Sequence, residues 1–199
     1  MHADSIRFFS ALGISARWHR SDYASPNPFA DSLLGIRYVL SDEAIPFYTP
    51  RFTESGRTVH QNEHAIPLVY PGANAASPDF DRNPAENCNL LADHLLGTAA
   101  PDIFVPIPTD LTLFGGCQAF PSEEGTTVYL PDDAESTAFV TLTATAEATG
   151  DVFFTLPSPI PTPVYFYVND DYQGVRFDTA APTFSIWAVL RQESRSVCA

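Results

Sequence analysis

A chain of 199 residues, 45% hydrophobic and 17% charged, is long and apolar enough to bury a core, as one large domain or two small ones. Its net charge is −14, with no lysine and ten arginines as its cations. Such a surface repels phosphate backbones and anionic lipid, which excludes nucleic-acid binding and polybasic docking on a membrane.

The opening MHADSIRFF has an acid where a secretory leader has a basic region, so the chain is expected to be cytoplasmic or a piece of a longer protein. ADSIRFFSALGI places Ile6, Phe9 and Leu12 on one side and stops at Gly13, which predicts a short amphipathic helix. SARWHRSDYASPNPFAD follows as a polar loop. GIRYVLS then reads as a buried strand, with Leu33, Leu34, Ile36, Val39 and Leu40 as core and Gly35 as a tight step. Arg37 on that strand calls for a carboxylate, Asp31 or another. FYTPRFTES, RTVHQNE and AIPLVYPG predict successive strands, the first two joined by a tight ESGR turn. GANAASPDFDRNP is a loop, and PAENCNLLADHLLG a helix, with Pro84 at its start, Leu91, Leu95 and Leu96 along it and Gly97 at its end.

From about Thr126 short β runs recur at regular spacing between Asp, Gly, Pro and Asn turns, with VNDDYQG as a hairpin. Eighteen prolines and 13% aromatics suit strands and loops. The longest uncharged run, residues 152–168, holds four prolines, so it predicts two short strands about a loop and no membrane span. The fold class is thus mainly β (α+β): a small α+β half over 1–100, a connector over 101–125, and an antiparallel, jelly-roll-like β-sandwich over 126–199.

HQNEH at 60–64 matches H-x-x-E-H, in which His60 and His64 bind zinc and Glu63 activates water. That chemistry needs a helix. The flanks alternate like strands, and on a strand the two histidines stand about 13 Å apart, too far for one ion. Asp79 and Asp81 have the D-x-D form that can reach a hard cation, although an Asp-rich loop before a helix explains them as well. The acidic pair Asp170 and Asp171 suits a solvated turn. Trp18, Tyr23 and Tyr172 are aromatics able to stack on a sugar ring. Cys88, Cys117 and Cys198 make an odd count with no C-x-x-C; a Cys88–Cys117 disulfide and scattered buried thiols both fit. No glycine-rich phosphate loop, nucleophile elbow or Cys/His pair stands out, so no catalytic residue and no cofactor is expected.

Three landmarks in order, over residues 5–97, carry a resemblance. NPFADSLLGIRYVLSD resembles the loop and strand in the extracytoplasmic domain of YfhO-type bacterial membrane proteins. TVHQNEHAIPLVY is similar to the hairpin of that family, with Asn62, Ala65 and Pro67 in place. NPAENCNLLADHLLG resembles its helix through Asn87, Asn89, Leu91, Leu95 and Gly97, with Ala85 in place of an aromatic and Cys88 in place of Gln. The later YVND resembles a turn of the same family.

The resemblance implies a non-catalytic extracytoplasmic domain of a multi-span glycosyltransferase that uses lipid-linked sugars on cell-envelope polymers. The catalytic carboxylate is then expected in the membrane part, outside this chain. The partners implied are that transmembrane domain and cell-envelope glycan, and the landmarks mark Asp31, Arg37, Tyr38, Asn62 and Asn87 as candidate binding residues. A stand-alone carbohydrate-binding or adhesion module and a zinc hydrolase using His60, Glu63 and His64 are the alternatives.

Overall fold

The computed structural model describes residues 3–17, 20–22, 27–42, 44–45, 47–67, 69–73, 78–121, 127–133, 137–145, 150–153, 155–156, 160–178, 183–184, 188–190 and 195–198. The first elements are α1 (Ala3–Ala11), β1 (Ser15–Arg17), β2 (Arg20–Asp22), α2 (Pro28–Leu33), β3 (Tyr38–Ser41), β4 (Thr49–Glu54), β5 (Arg57–Gln61) and α3 (Pro84–Leu96). There follow β6 (Thr109–Gly115), β7 (Cys117–Pro121), β8 (Thr127–Pro131), β9 (Phe139–Ala144), β10 (Gly150–Val152) and β11 (Thr155–Leu156). The last are β12 (Ile160–Val168), β13 (Asp171–Asp178), β14 (Thr183–Phe184), β15 (Ala188–Leu190) and β16 (Arg195–Cys198). The fold is sheet-rich, and the pairings between strands are antiparallel. Among the described residues no helix is long and apolar enough to cross a membrane.

The chain divides into two compact units. The first takes Met1–Val105, Phe153–Pro161 and Asp178–Trp187; the second takes Pro106–Val152, Thr162–Phe177 and Ala188–Ala199.

In the first unit the three helices stop by local rules. After α1 the Gly13 N–H donates to Ser10 and the Ile14 N–H to Phe9 (3.0 and 2.9 Å), and after α2 the Gly35 and Ile36 N–H groups donate to Ser32 and Asp31 (3.2 and 2.8 Å). Both glycines are left-handed, with φ of 77° and 69°, a conformation that costs a residue with a Cβ far more. Their inner faces meet around Leu12, Ile14, Ala30, Cys88 and Leu91, with Phe8, Phe9, Leu33 and Leu95 packed against them. Burying such side chains stabilises by about 1.5–3 kcal/mol each. Phe153, on the returning segment, stacks on Phe47 with ring centroids 5.8 Å apart and meets Phe104 edge-on at 5.2 Å.

Asparagine side chains hold the connections of this unit. Asn27 caps α2, its Oδ1 accepting from the Ala30 N–H (3.1 Å) while its Nδ2 donates to the Leu12 carbonyl (2.9 Å) and to the Cys88 sulfur (3.8 Å). Asn89 accepts from the N–H groups of Ile103 and Phe104 (2.9 and 3.0 Å) and donates to the Phe104 carbonyl (2.8 Å). Amides bonded at both ends in this way specify one geometry, because any other leaves them unpaired, at greatest cost for the buried Asn27.

Several expectations are revised. The segment before Gly35 is not all loop: Asn27 and Pro28 start the helix α2. Residues 65–67 are not a strand, since the Ile66 N–H donates to Ser32 (3.1 Å) and Pro67 has no N–H to offer a neighbour. Within the expected connector, Thr109–Gly115 and Cys117–Pro121 are strands, β6 pairing with β9 and β7 with β8. Leu40 is exposed.

The second unit contains a five-stranded sheet in the order β13-β12-β16-β9-β6 and the small sheets β7-β8 and β10-β15. Asn169 and Asp170, with φ of 52° and 68°, make the β12–β13 turn, a two-residue hairpin of the kind that matches strand twist.

Cys88 and Cys117 are buried free thiols. Burial pushes the Cys88 thiol up from 9.0 to about 12, the Asn27 donor partly opposing the shift. The folded pKa lies above the unfolded one, so the stability from the neutral thiol is complete below pH 9 and is lost as pH rises toward 12. Urea titrations across that window are expected to show a steeper alkaline loss in the wild type than in Cys88→Ala; equal slopes would remove the thiol as the cause.

Candidate functional site

The first unit contains a three-stranded sheet, β3-β5-β4, whose β4–β5 turn is made by Ser55 and Gly56 at positive φ. Tyr38 lies opposite Gln61 and Leu40 opposite Val59 across the β3–β5 ladder. On the other side Thr49 lies opposite Gln61, and a bulge at Arg51 shifts the register so that Phe52 lies opposite Val59. Without that extra residue Phe52 would have met Thr58 and pointed through the other face.

The bulge thus assembles one rung of Leu40, Val59 and Phe52 beside a second of Tyr38, Gln61 and Thr49. Tyr38, Leu40 and Phe52 are 59%, 57% and 61% exposed. Three large exposed side chains sharing one face of a sheet offer apolar surface to a partner.

The same bulge turns Arg51 along the edge of the face. Its Nε donates to Gln61 Oε1 (2.7 Å) and its Nη2 to Glu63 Oε1 (2.9 Å), and the Thr49 hydroxyl donates to the same Glu63 oxygen (3.2 Å). The Arg51–Glu63 pair is half exposed and contributes little stability. Its chemical value is position: donors and acceptors stand fixed beside an apolar, aromatic surface. Such a face can stack on the C–H side of a ring while bonding its polar edge.

The residues marked by sequence divide into two sets. Asp31, Asn62 and Asn87 are buried. Asp31 faces inward from α2, where the Tyr48 hydroxyl donates to it. Asn62 donates to the Ser32 hydroxyl (3.1 Å) and the Ile36 carbonyl (3.2 Å) and accepts from the His64 N–H (3.0 Å), tying the end of β5 to the α2–β3 link. Asn87 donates to the carbonyls of Ala11 and Arg82 (3.0 and 2.8 Å). Arg37 and Tyr38 are exposed at the start of β3. The expected Arg37 ion pair is absent: among the described residues no carboxylate meets it, because α2 carries Asp31 inward while Arg37 extends into solvent.

The zinc arrangement of His60, Glu63 and His64 does not assemble. His60 is buried on strand β5, whereas Glu63 and His64 are exposed in the turn beyond it, and Glu63 is held by Arg51. Among the described residues no three His, Cys, Asp or Glu side chains are grouped to hold a metal. In the D-x-D segment, Asp81 lies 3.8 Å from Arg82 Nε. Tyr172 is exposed and its ring lies 5.6 Å from that of Tyr167; Trp18 and Tyr23 fall outside the described residues.

Phe52, Arg51 and Gln61 were not singled out by sequence, and Leu40 was read as core. Their shared face depends on a bulge that leaves no mark in the alternation of β4. No family model, curated protein or solved structure matches the chain.

Proposed function

We propose that this chain is a non-catalytic extracytoplasmic domain of a YfhO-like membrane protein, one that recognises acceptor glycan for a lipid-linked-sugar glycosyltransferase acting on cell-envelope polymers. The transmembrane part that tethers it to the outer side of a bacterial cell membrane and performs the transfer would lie outside this chain. The observation that carries the recognition role is the β3-β5-β4 face, where exposed Tyr38 and Phe52 stand beside the fixed Arg51, Gln61 and Glu63. Aromatic rings take the apolar faces of sugars, and the donors and acceptors beside them take their hydroxyls. The landmarks of residues 5–97 support the family assignment. In this reading the five-stranded sheet of the second unit is one layer of a jelly-roll-like sandwich.

A second reading, a stand-alone carbohydrate-binding or adhesion module, has its own support. Tyr165 and Tyr167 alternate onto one side of β12, Tyr172 meets Tyr167 from β13, and all three are exposed.

Binding to envelope-polymer oligosaccharides, first on a glycan array and then by calorimetry, tests both. For the first reading, Tyr38→Ala with Phe52→Ala weakens binding roughly tenfold, as two aromatic contacts of about 0.5–1.5 kcal/mol imply, and Tyr167→Ala with Tyr172→Ala leaves it unchanged. The reverse pattern selects the second reading. A wild-type protein that binds no glycan removes both.

A further inference from the structure

The first unit has an open cleft of about 560 Å3 between α1 and the segment that leads into α3. Asn87 lies at its floor, and through its bonds to the Ala11 and Arg82 carbonyls it fixes the two walls relative to each other. Phe8 from α1 and Phe80 from the opposite wall meet edge to face, with ring centroids 5.9 Å apart. Around this apolar part stand Arg7, Ser10, Asp79 and Arg82.

The charges are the informative feature. Arg7 and Asp79 line the same cleft, both are exposed, and among the described residues neither makes an ion pair or a side-chain hydrogen bond. Among the described residues the Arg82 side chain has one long ionic contact, with Asp81 at 3.8 Å. A cleft offering unpaired donors and acceptors beside two phenyl rings suits few ligands. A simple anion meets Arg7 and Arg82 but is repelled by Asp79, which lines the same cleft. An apolar ligand leaves both signs of charge desolvated and unpaired. A neutral sugar ring serves both signs of charge: its hydroxyls donate to a carboxylate and accept from a guanidinium, while its C–H face suits the rings.

We propose that this cleft binds one neutral sugar residue, with Arg7 and Asp79 clasping its hydroxyls and Phe8 and Phe80 as its apolar wall. The inference rests on the glycan-recognition reading and deepens it, placing one sugar unit of the acceptor here and the chain of the polymer on the β3-β5-β4 face.

The test uses the full chain with two probes: methyl hexosides, and an envelope oligosaccharide, each followed by saturation-transfer NMR. Arg7→Ala and Asp79→Asn alter exposed side chains, so the fold is expected to persist, and far-UV circular dichroism checks it. The expected result is that both variants weaken methyl-hexoside binding roughly tenfold, as loss of a charged hydrogen bond implies, whereas Val69→Ala, at an exposed side chain that does not line the cleft, leaves it unchanged. If the oligosaccharide binds through the sheet face but no methyl hexoside does, or the cleft variants bind it as the wild type does, the cleft proposal falls and the recognition reading stands. If neither probe binds, the recognition reading falls and takes the cleft with it. Acetate or glycine displacing the hexoside from the cleft at lower concentration overturns the neutral-sugar assignment.

Discussion

Asn27→Ala is expected to destabilise the protein by about 2–4 kcal/mol, read as a lower urea midpoint at an unchanged slope. Asn27 is buried, and each end of its amide has work in a different element. Its Oδ1 caps α2 through the Ala30 N–H, and removing such a cap costs about 1 kcal/mol. Its Nδ2 satisfies the Leu12 carbonyl at the end of α1, and a buried acceptor left unpaired costs about 1–3 kcal/mol more. Two further substitutions separate these effects. Asn27→Ser keeps a capping oxygen and is expected to recover about 1 kcal/mol. Asn27→Asp keeps the cap but sets a carboxylate against the Leu12 carbonyl, two acceptors with no hydrogen between them, and is expected to be as damaging as alanine. An alanine variant within 0.5 kcal/mol of the wild type would show that water satisfies both groups, and the brace would lose its significance.

The second large effect is expected from Leu12→Ala, at about 2–5 kcal/mol. Leu12 is fully buried and sits at the centre of the cluster with Ile14, Ala30, Cys88 and Leu91. Its removal opens a cavity among side chains held by three helices whose ends are pinned by glycine turns and asparagine bonds, so the surroundings relax little. Leu40→Ala is the control. Leu40 carries the same side chain on β3 but lies on the exposed face, so its truncation is expected to change stability by less than about 0.5 kcal/mol. Chemical denaturation of both variants tests the contrast. Equal losses would mean that the β3-β5-β4 face is covered in the native protein, and the binding surface described above would not exist.

The two leucines also show how far a linear reading reaches. Both lie in apolar runs bounded by glycine, and both read as core. Leu12 is core because α1 stops at Gly13 and turns it into the helix cluster, a stop that glycine itself announces. Leu40 is exposed because of which side of β3 faces the rest of the first unit, and period-two alternation does not say which side that is. The helix α3 was legible from Pro84 and Gly97, and both hairpin turns from their small polar residues. The helix α2 carried its signal too, Asn27-Pro28 at one end and Gly35 at the other, beneath a segment that reads as polar loop.

Of the residues marked as binders through the resemblance, Asn62 and Asn87 bond their amides to groups within the fold. In a linear sequence an asparagine that braces two segments looks the same as one that holds a ligand. Only the partners distinguish them: the Ser32 hydroxyl and Ile36 carbonyl for Asn62, the Ala11 and Arg82 carbonyls for Asn87. The inward turn of Asp31 toward Tyr48, which leaves Arg37 unpaired among the described residues, is likewise a relation between residues 17 apart.

By itself, then, the sequence determined the sheet-rich class, the helix stops, the turn positions and the net negative charge, because each follows from local backbone preference or from composition. The tertiary structure alone decided that the Arg51 bulge brings Phe52 beside Tyr38 and Leu40, that His60 and Glu63 part company, and that Arg7 and Asp79 share a cleft. Those outcomes depend on register and on contacts between distant segments, where a shift of one residue sends a side chain to the opposite face.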